Sequence, residues 1–70
     1  MSLIGDLVEY RRTRIWLLEN MERIRRAFKG MYIAALGEEV IDSDRDEHSL
    51  IRRLWSKGLF PGPVVIEYVS

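Results

Sequence analysis

The feature that most constrains this chain is a change of hydrophobic period at Lys29-Gly30. Before it, positions 3, 7, 10, 14, 17, 21, 24 and 28 read Leu, Leu, Tyr, Arg, Leu, Met, Ile and Phe. Alternating steps of four and three keep one stripe on a helix, broken here only by Arg14. After it, Met31 to Leu36 and Glu39 to Ser43 are short β-tolerant runs separated by Gly37-Glu38, the Gly-X order that suits a two-residue hairpin turn. A helix followed by a hairpin is thereby set by the segment from Phe28 to Asp44.

The rest of the order follows from turn and cap signals. Ser43 and Asp44 are N-cap candidates, with Asp46 and Glu47 in a first turn where the helix dipole favours acids. Leu50, Ile51, Leu54 and Trp55 form a narrow apolar stripe. Gly58 stands where a left-handed residue closes a helix, and Leu59 where a Schellman ending packs back on Leu54. The spacing predicts a helix over 45–57. Phe60-Pro61-Gly62-Pro63 fits a type II turn with Pro second and Gly third, and 64–69 reads as a last strand.

The expected fold class is therefore α+β: a long N-terminal helix, then β-β-α-β, with a three-stranded antiparallel sheet in the spatial order 2-1-3. The two-residue turn sets Leu36 opposite Glu39, Ala34 opposite Ile41 and Tyr32 opposite Ser43; a three-residue loop with a bulge shifts this by one. Either register leaves apolar residues on both faces, with Tyr32, Ala34, Leu36 and Ile41 on one and Met31, Ile33, Ala35 and Val40 on the other. A sheet with one wet face alternates more cleanly. The second helix covers one face, and the other must meet the long helix or another subunit.

Seventy residues form a single domain, with 1–29 as a long amphipathic helix and candidate oligomerisation arm and 30–70 as the ββαβ module. A core of this size needs reinforcement. Cysteine is absent and His48 is the one histidine, so disulfides and a structural zinc site do not supply it. Oligomerisation is the favoured alternative. A helix over 4–29 is about 39 Å long at 1.5 Å per residue, against a diameter of about 28 Å for a compact chain of this length. It must project, bend near Arg11 to Arg14, or lie against a second copy. No apolar run approaches a membrane span and no leader pattern is present, so a soluble cytoplasmic protein is expected. Met1-Ser2-Leu3 could be a vector-derived start.

From Phe28 onward the residues resemble a family. Phe28-x-Gly30-x-Tyr32-Ile33-Ala34, then Gly37-Glu38-Glu39-Val40-Ile41, then a helix carrying Leu50 and Leu54 that closes at Lys57-Gly58 before a Val/Ile strand, is similar to a short prokaryotic family of unknown function. Its pattern is aromatic-x-Gly-x-Tyr/Trp-Val-Ala, a turn, Val-hydrophobic and a helix ending in Gly. The resemblance covers residues 28–69. It implies a small α/β module and supplies no catalytic residues. Residues 1–27 lie outside it.

Chemistry-bearing groups are sparse. Asp42, Asp44 and Asp46 have the alternate spacing that opens a calcium loop, but Glu47 occupies the place of its sharp-turn Gly and Arg53 that of its bidentate Glu. A strand exit followed by an acidic helix start explains them. His48 has no Ser, Cys or second acid placed to work with it. No catalytic, cofactor or metal site is expected.

The charge distribution is more informative. Lys and Arg number seven against four acids over residues 1–30 and four against seven over 31–70, so halves of +3 and −3 sum to the zero net charge. That suits a basic arm or two complementary surfaces. Glu19 to Arg23 and Glu22 to Arg26 have helical ion-pair spacing, which leaves Arg11, Arg12 and Arg14 unopposed. Trp16 lies about 120° off the apolar stripe, as a residue covered by a partner would.

The expectation is a non-catalytic, self-associating interaction module, a homodimer or higher oligomer, without cofactors. Its interface uses the helix residues Tyr10, Trp16, Leu17, Met21 and Ile24, the open sheet face, or both. The alternative is a nucleic-acid-binding or antitoxin-like regulator acting through Arg11, Arg12 and Arg14.

Overall fold

The computed structural model describes residues 3–70, with side chains from Gly5 onward. The expectations for Met1-Ser2 and for the Leu3 side chain lie outside these described residues. The elements are α1 (Leu3–Glu19), α2 (Met21–Phe28), β1 (Tyr32–Leu36), β2 (Glu39–Asp44), α3 (Glu47–Ser56) and β3 (Val65–Tyr68). The sheet has the order β2-β1-β3 with both pairings antiparallel, as the sequence predicts. No helix among the described residues is long and apolar enough to cross a membrane.

The expected single N-terminal helix is divided. Asn20 sits between α1 and α2 with φ −116° and ψ 14°, and its side-chain Nδ2 donates to the Trp16 carbonyl at 2.8 Å. The amide thus competes for a backbone acceptor inside the helix, the known way in which Asn disturbs helical runs. The break falls at Asn20, not at Arg11 to Arg14. Gly30, at φ 82°, then turns the chain: Met31 N–H donates to the Phe28 carbonyl at 3.0 Å, with Lys29 at φ −54° and ψ 130°. These are the angles of a type II turn with Gly at its third position.

The hairpin turn is the two-residue type, with Leu36 paired to Glu39 and positive φ at Gly37. Beyond Ala35↔Val40 the register departs from expectation. Ile41 is an extra residue, so Ala34 pairs with Asp42 and Tyr32 with Asp44 in place of Ile41 and Ser43. The reason lies in the faces. Uninterrupted alternation puts Asp42 and Asp44 on the side of Ile33 and Ala35, which is buried and apolar. The bulge moves both carboxylates to the α3 side and keeps Ile41 there too, against Leu50 and Leu54.

Two cores result, one on each face of the sheet. Leu17, Ile24, Ile33, Ala35, Val65 and Val69 pack together on the α1–α2 side, with Trp16, Phe28 and Val40 at the margin. Ala34, Leu50, Leu54 and Val64 do so on the α3 side, with Tyr32, Ile41, Leu59, Phe60 and Ile66. The assignment of β1 residues to faces matches the sequence expectation. The sheet face left by α3 is not open: α1 and α2 of the same chain cover it.

The ends of α3 differ from expectation at one side only. Its N-cap is Asp46, which accepts from Ser49 N–H at 3.1 Å and from the Ser49 hydroxyl at 2.7 Å; Ser43 and Asp44 belong to β2. At the other end, Leu59 N–H reaches the Leu54 carbonyl at 2.8 Å and Gly58 N–H the Trp55 carbonyl at 3.0 Å, with Gly58 at φ 73°, the Schellman motif as predicted. The following turn is not type II. Gly62 lacks positive φ and Phe60-Pro61 is cis.

Candidate interaction surface

The surface of α1 is set by which of its residues faces the sheet. Among the described residues that is Thr13, the one fully buried polar side chain. Its hydroxyl donates to the Glu9 carbonyl at 2.9 Å and accepts from Gly37 N–H at 2.9 Å. The amide of the hairpin turn, which has no partner in the strand ladder, is thereby satisfied by a side chain 24 residues upstream. Helical geometry does the rest. At about 100° per residue, Leu17 and Trp16 flank Thr13, whereas Val8, Arg11, Ile15 and Leu18 fall within about 40° of the opposite pole.

That outer face is apolar and open. Leu7, Val8, Ile15 and Leu18 are 62, 55, 50 and 70% exposed. No residue from Gly5 to Arg12 is buried. The long axis of the molecule is 34 Å and its radius of gyration 11.7 Å.

The sequence-expected interface residues divide between core and surface. Leu17 and Ile24 are buried against β1 and β3, Trp16 is half-buried at the margin of the same core, Met21 is half-buried, and Tyr10 is exposed. Trp16 is thus partly covered by its own chain. The tryptophan left outside is Trp55, 63% exposed, its ring 6.4 Å from that of Phe60 on a flank of α3. There Glu47, His48, Ile51, Arg52, Trp55 and Ser56 line a shallow hollow of about 430 Å³. The residues that sequence reasoning missed are Val8, Ile15 and Leu18, which lie off the stripe chosen as the buried one. Their signal was a second stripe of three- and four-residue steps, Val8-Arg11-Ile15-Leu18.

Arg11, Arg12 and Arg14 are all exposed. The expected ion pairs Glu19–Arg23 and Glu22–Arg26 do not form; Arg23 instead donates to Asn20 Oδ1 at 2.9 Å. Ion pairs among the described residues belong to Arg53, which contacts Asp42 at 3.0 Å and Asp44 at 2.8 Å. Its guanidinium also bonds the second Asp42 oxygen and the Ser43 carbonyl, both at 3.1 Å. It therefore sits where a cation among these carboxylates would sit, and no group of three metal-liganding residues occurs among the described residues. The Arg53 hydrogen bonds hold Asp42 below the usual carboxylate range. Asp44 is lowered by the Asp46 backbone N–H and then by Arg53, and Asp46 by the Ser49 hydroxyl. The same contacts raise Arg53. This cluster ties α3 to β2.

No protein-family model, curated protein or solved structure matches this chain.

Proposed function

We infer that this chain is a non-catalytic interaction module that associates with a second copy of itself through the outer face of α1. The observation that carries the reading is the exposure of Leu7, Val8, Ile15 and Leu18 on one side of a helix whose other side is already packed. Exposed apolar side chains gathered on one helix side, here with Arg11 between Val8 and Ile15, are a mark of interfaces. The small size of the domain adds support, since a second copy supplies the apolar burial that 70 residues provide only sparingly.

Light scattering coupled to gel filtration at micromolar concentration tests this. A dimer is expected, converted to monomer by Ile15→Glu or Leu18→Glu with the circular dichroism spectrum unchanged, because neither side chain belongs to the core. A wild-type chain that is folded and monomeric under those conditions overturns the reading. A second reading, a small nucleic-acid-binding regulator, draws on the exposure of Arg11, Arg12 and Arg14, which take no part in the ion pairs among the described residues. It predicts retention on duplex DNA or RNA that falls steeply with salt and with Ala at those three positions.

A further inference from the structure

We propose that the two α1 helices of the dimer lie antiparallel, crossing between Ile15 and Leu18, so that Arg12 of each copy faces Glu19 of the other. The proposal deepens the self-association reading and rests on it. Its ground is a segregation of charge along one exposed surface. Along α1, Arg11, Arg12 and Arg14 precede the apolar pair Ile15 and Leu18, and Glu19 follows it; the bases Arg23, Arg25, Arg26 and Lys29 lie beyond the break, on and after α2. Arg11, Arg12, Arg14 and Glu19 are all exposed, and none takes part in the ion pairs among the described residues.

Alternative arrangements fail on like charge. A parallel pair stacks Arg11 on Arg11 and Arg12 on Arg12. An antiparallel pair centred at Thr13 also gathers all six arginines at the crossing. Like charges set opposite one another are unfavourable in both cases. Moving the centre to about residue 16 or 17 places Ile15 against Leu18 of the second copy. Arg12 then comes within about 3 Å of Glu19 along the axis, on the same flank of the helix by 100° steps. The elbow between α1 and α2 offers room for this. A hollow of about 410 Å³ there is lined by Leu18, Glu19, Met21 and Glu22 along with Asn20, Arg23 and Arg26, and Leu18 and Met21 offer apolar groups for an incoming Ile15. The interface is isologous, as a two-fold dimer requires.

Charge reversal reads the arrangement directly. Arg12→Glu and Glu19→Arg are each expected to weaken dimerisation by about tenfold, since each turns two attractive pairs into repulsive ones. An equimolar mixture of the two variants is expected to restore it. In the mixed dimer positions 12 and 19 again oppose an acid to a base on both flanks, with the charges of one flank exchanged. Orientation is read separately by cross-linking, which the absence of native cysteine permits. About a centre near residue 16 or 17, the two copies of position 18 are offset by about 4.5 Å along the axis and those of position 8 by about 25 Å. A short thiol-to-thiol cross-linker should therefore join Leu18→Cys dimers and leave Val8→Cys chains unjoined. A wild-type monomer overturns self-association itself. A wild-type dimer that cross-links through Val8→Cys, or whose reversed variants show no recovery on mixing, overturns the antiparallel arrangement and leaves self-association standing.

Discussion

Thr13 offers the sharpest test of how α1 is held. Its hydroxyl receives Gly37 N–H at 2.9 Å while the side chain is fully buried, so Thr13→Val keeps the shape and removes the acceptor. A buried donor left unsatisfied costs about 1–3 kcal/mol. Gly37 is half-buried, so water regains part of the bond and the lower portion of that range, about 1–2 kcal/mol, is expected. The companion bond to the Glu9 carbonyl adds little, because helical carbonyls have a backbone donor. Thr13→Ser makes the control: it retains the hydroxyl and loses one methyl, about 1 kcal/mol. A domain of this length has a stability of about 4–10 kcal/mol and a urea slope near ~1 kcal/mol/M. The Val variant should therefore lower the urea midpoint by about 1–2 M, measured at fixed protein concentration because self-association shifts midpoints. Hydrogen exchange separates the two variants: the Gly37 amide exchanges faster in Thr13→Val and not in Thr13→Ser. A Val variant as stable as wild type, with Gly37 equally protected, refutes the idea that this bond sets the rotation of α1.

Three further outcomes follow from the glycines after α3 and from the ion cluster. Gly62→Ala places a Cβ 2.9 Å from the Leu59 carbonyl oxygen, which forces the backbone to shift at about 1–3 kcal/mol. Gly58→Ala meets nothing within 4 Å and bears only the left-handed conformation, about 1–2 kcal/mol; relaxing φ at position 58 should abolish the Schellman bonds, whereas Gly62→Ala should leave them, as amide exchange at Leu59 can show. Arg53→Met should give pH-dependent destabilisation. Asp42 and Asp44 have folded pKa values below their unfolded ones, so their stabilisation is present above about pH 4 and disappears as pH falls through the folded values. The variant should thus be less stable than wild type at pH 7 and converge with it in strong acid; a gap independent of pH refutes the role given to the cluster.

Much of this architecture was legible without a structure, because it depends on local periods and local punctuation. The four-three spacing before Phe28, the alternation in Met31–Leu36, Gly37 at the turn and Gly58 with Leu59 at the end of α3 each act within a few residues. They led to the element order, the 2-1-3 sheet and the division of β1 between two faces. Apolar residues on both sides of the hairpin also implied a second covering layer, although not that the chain's own N-terminal helices provide it.

Features that turn on partners distant in sequence were settled only by the packed molecule. The rotation of α1 depends on Thr13 meeting Gly37, and it turns Leu17 and Trp16 inward and Val8, Ile15 and Leu18 outward. An apolar period shows that a helix has a face, but a helix with apolar residues at both poles needs a third body to choose between them. The bulge at Ile41 likewise depends on Arg53, since two carboxylates in a strand reach a guanidinium on a helix only if the alternation slips once. Which segments become helix and strand follows from short-range free energies, and these are written in the order of the residues. Which surface faces outward follows from contact between segments, and on that surface the proposed function rests.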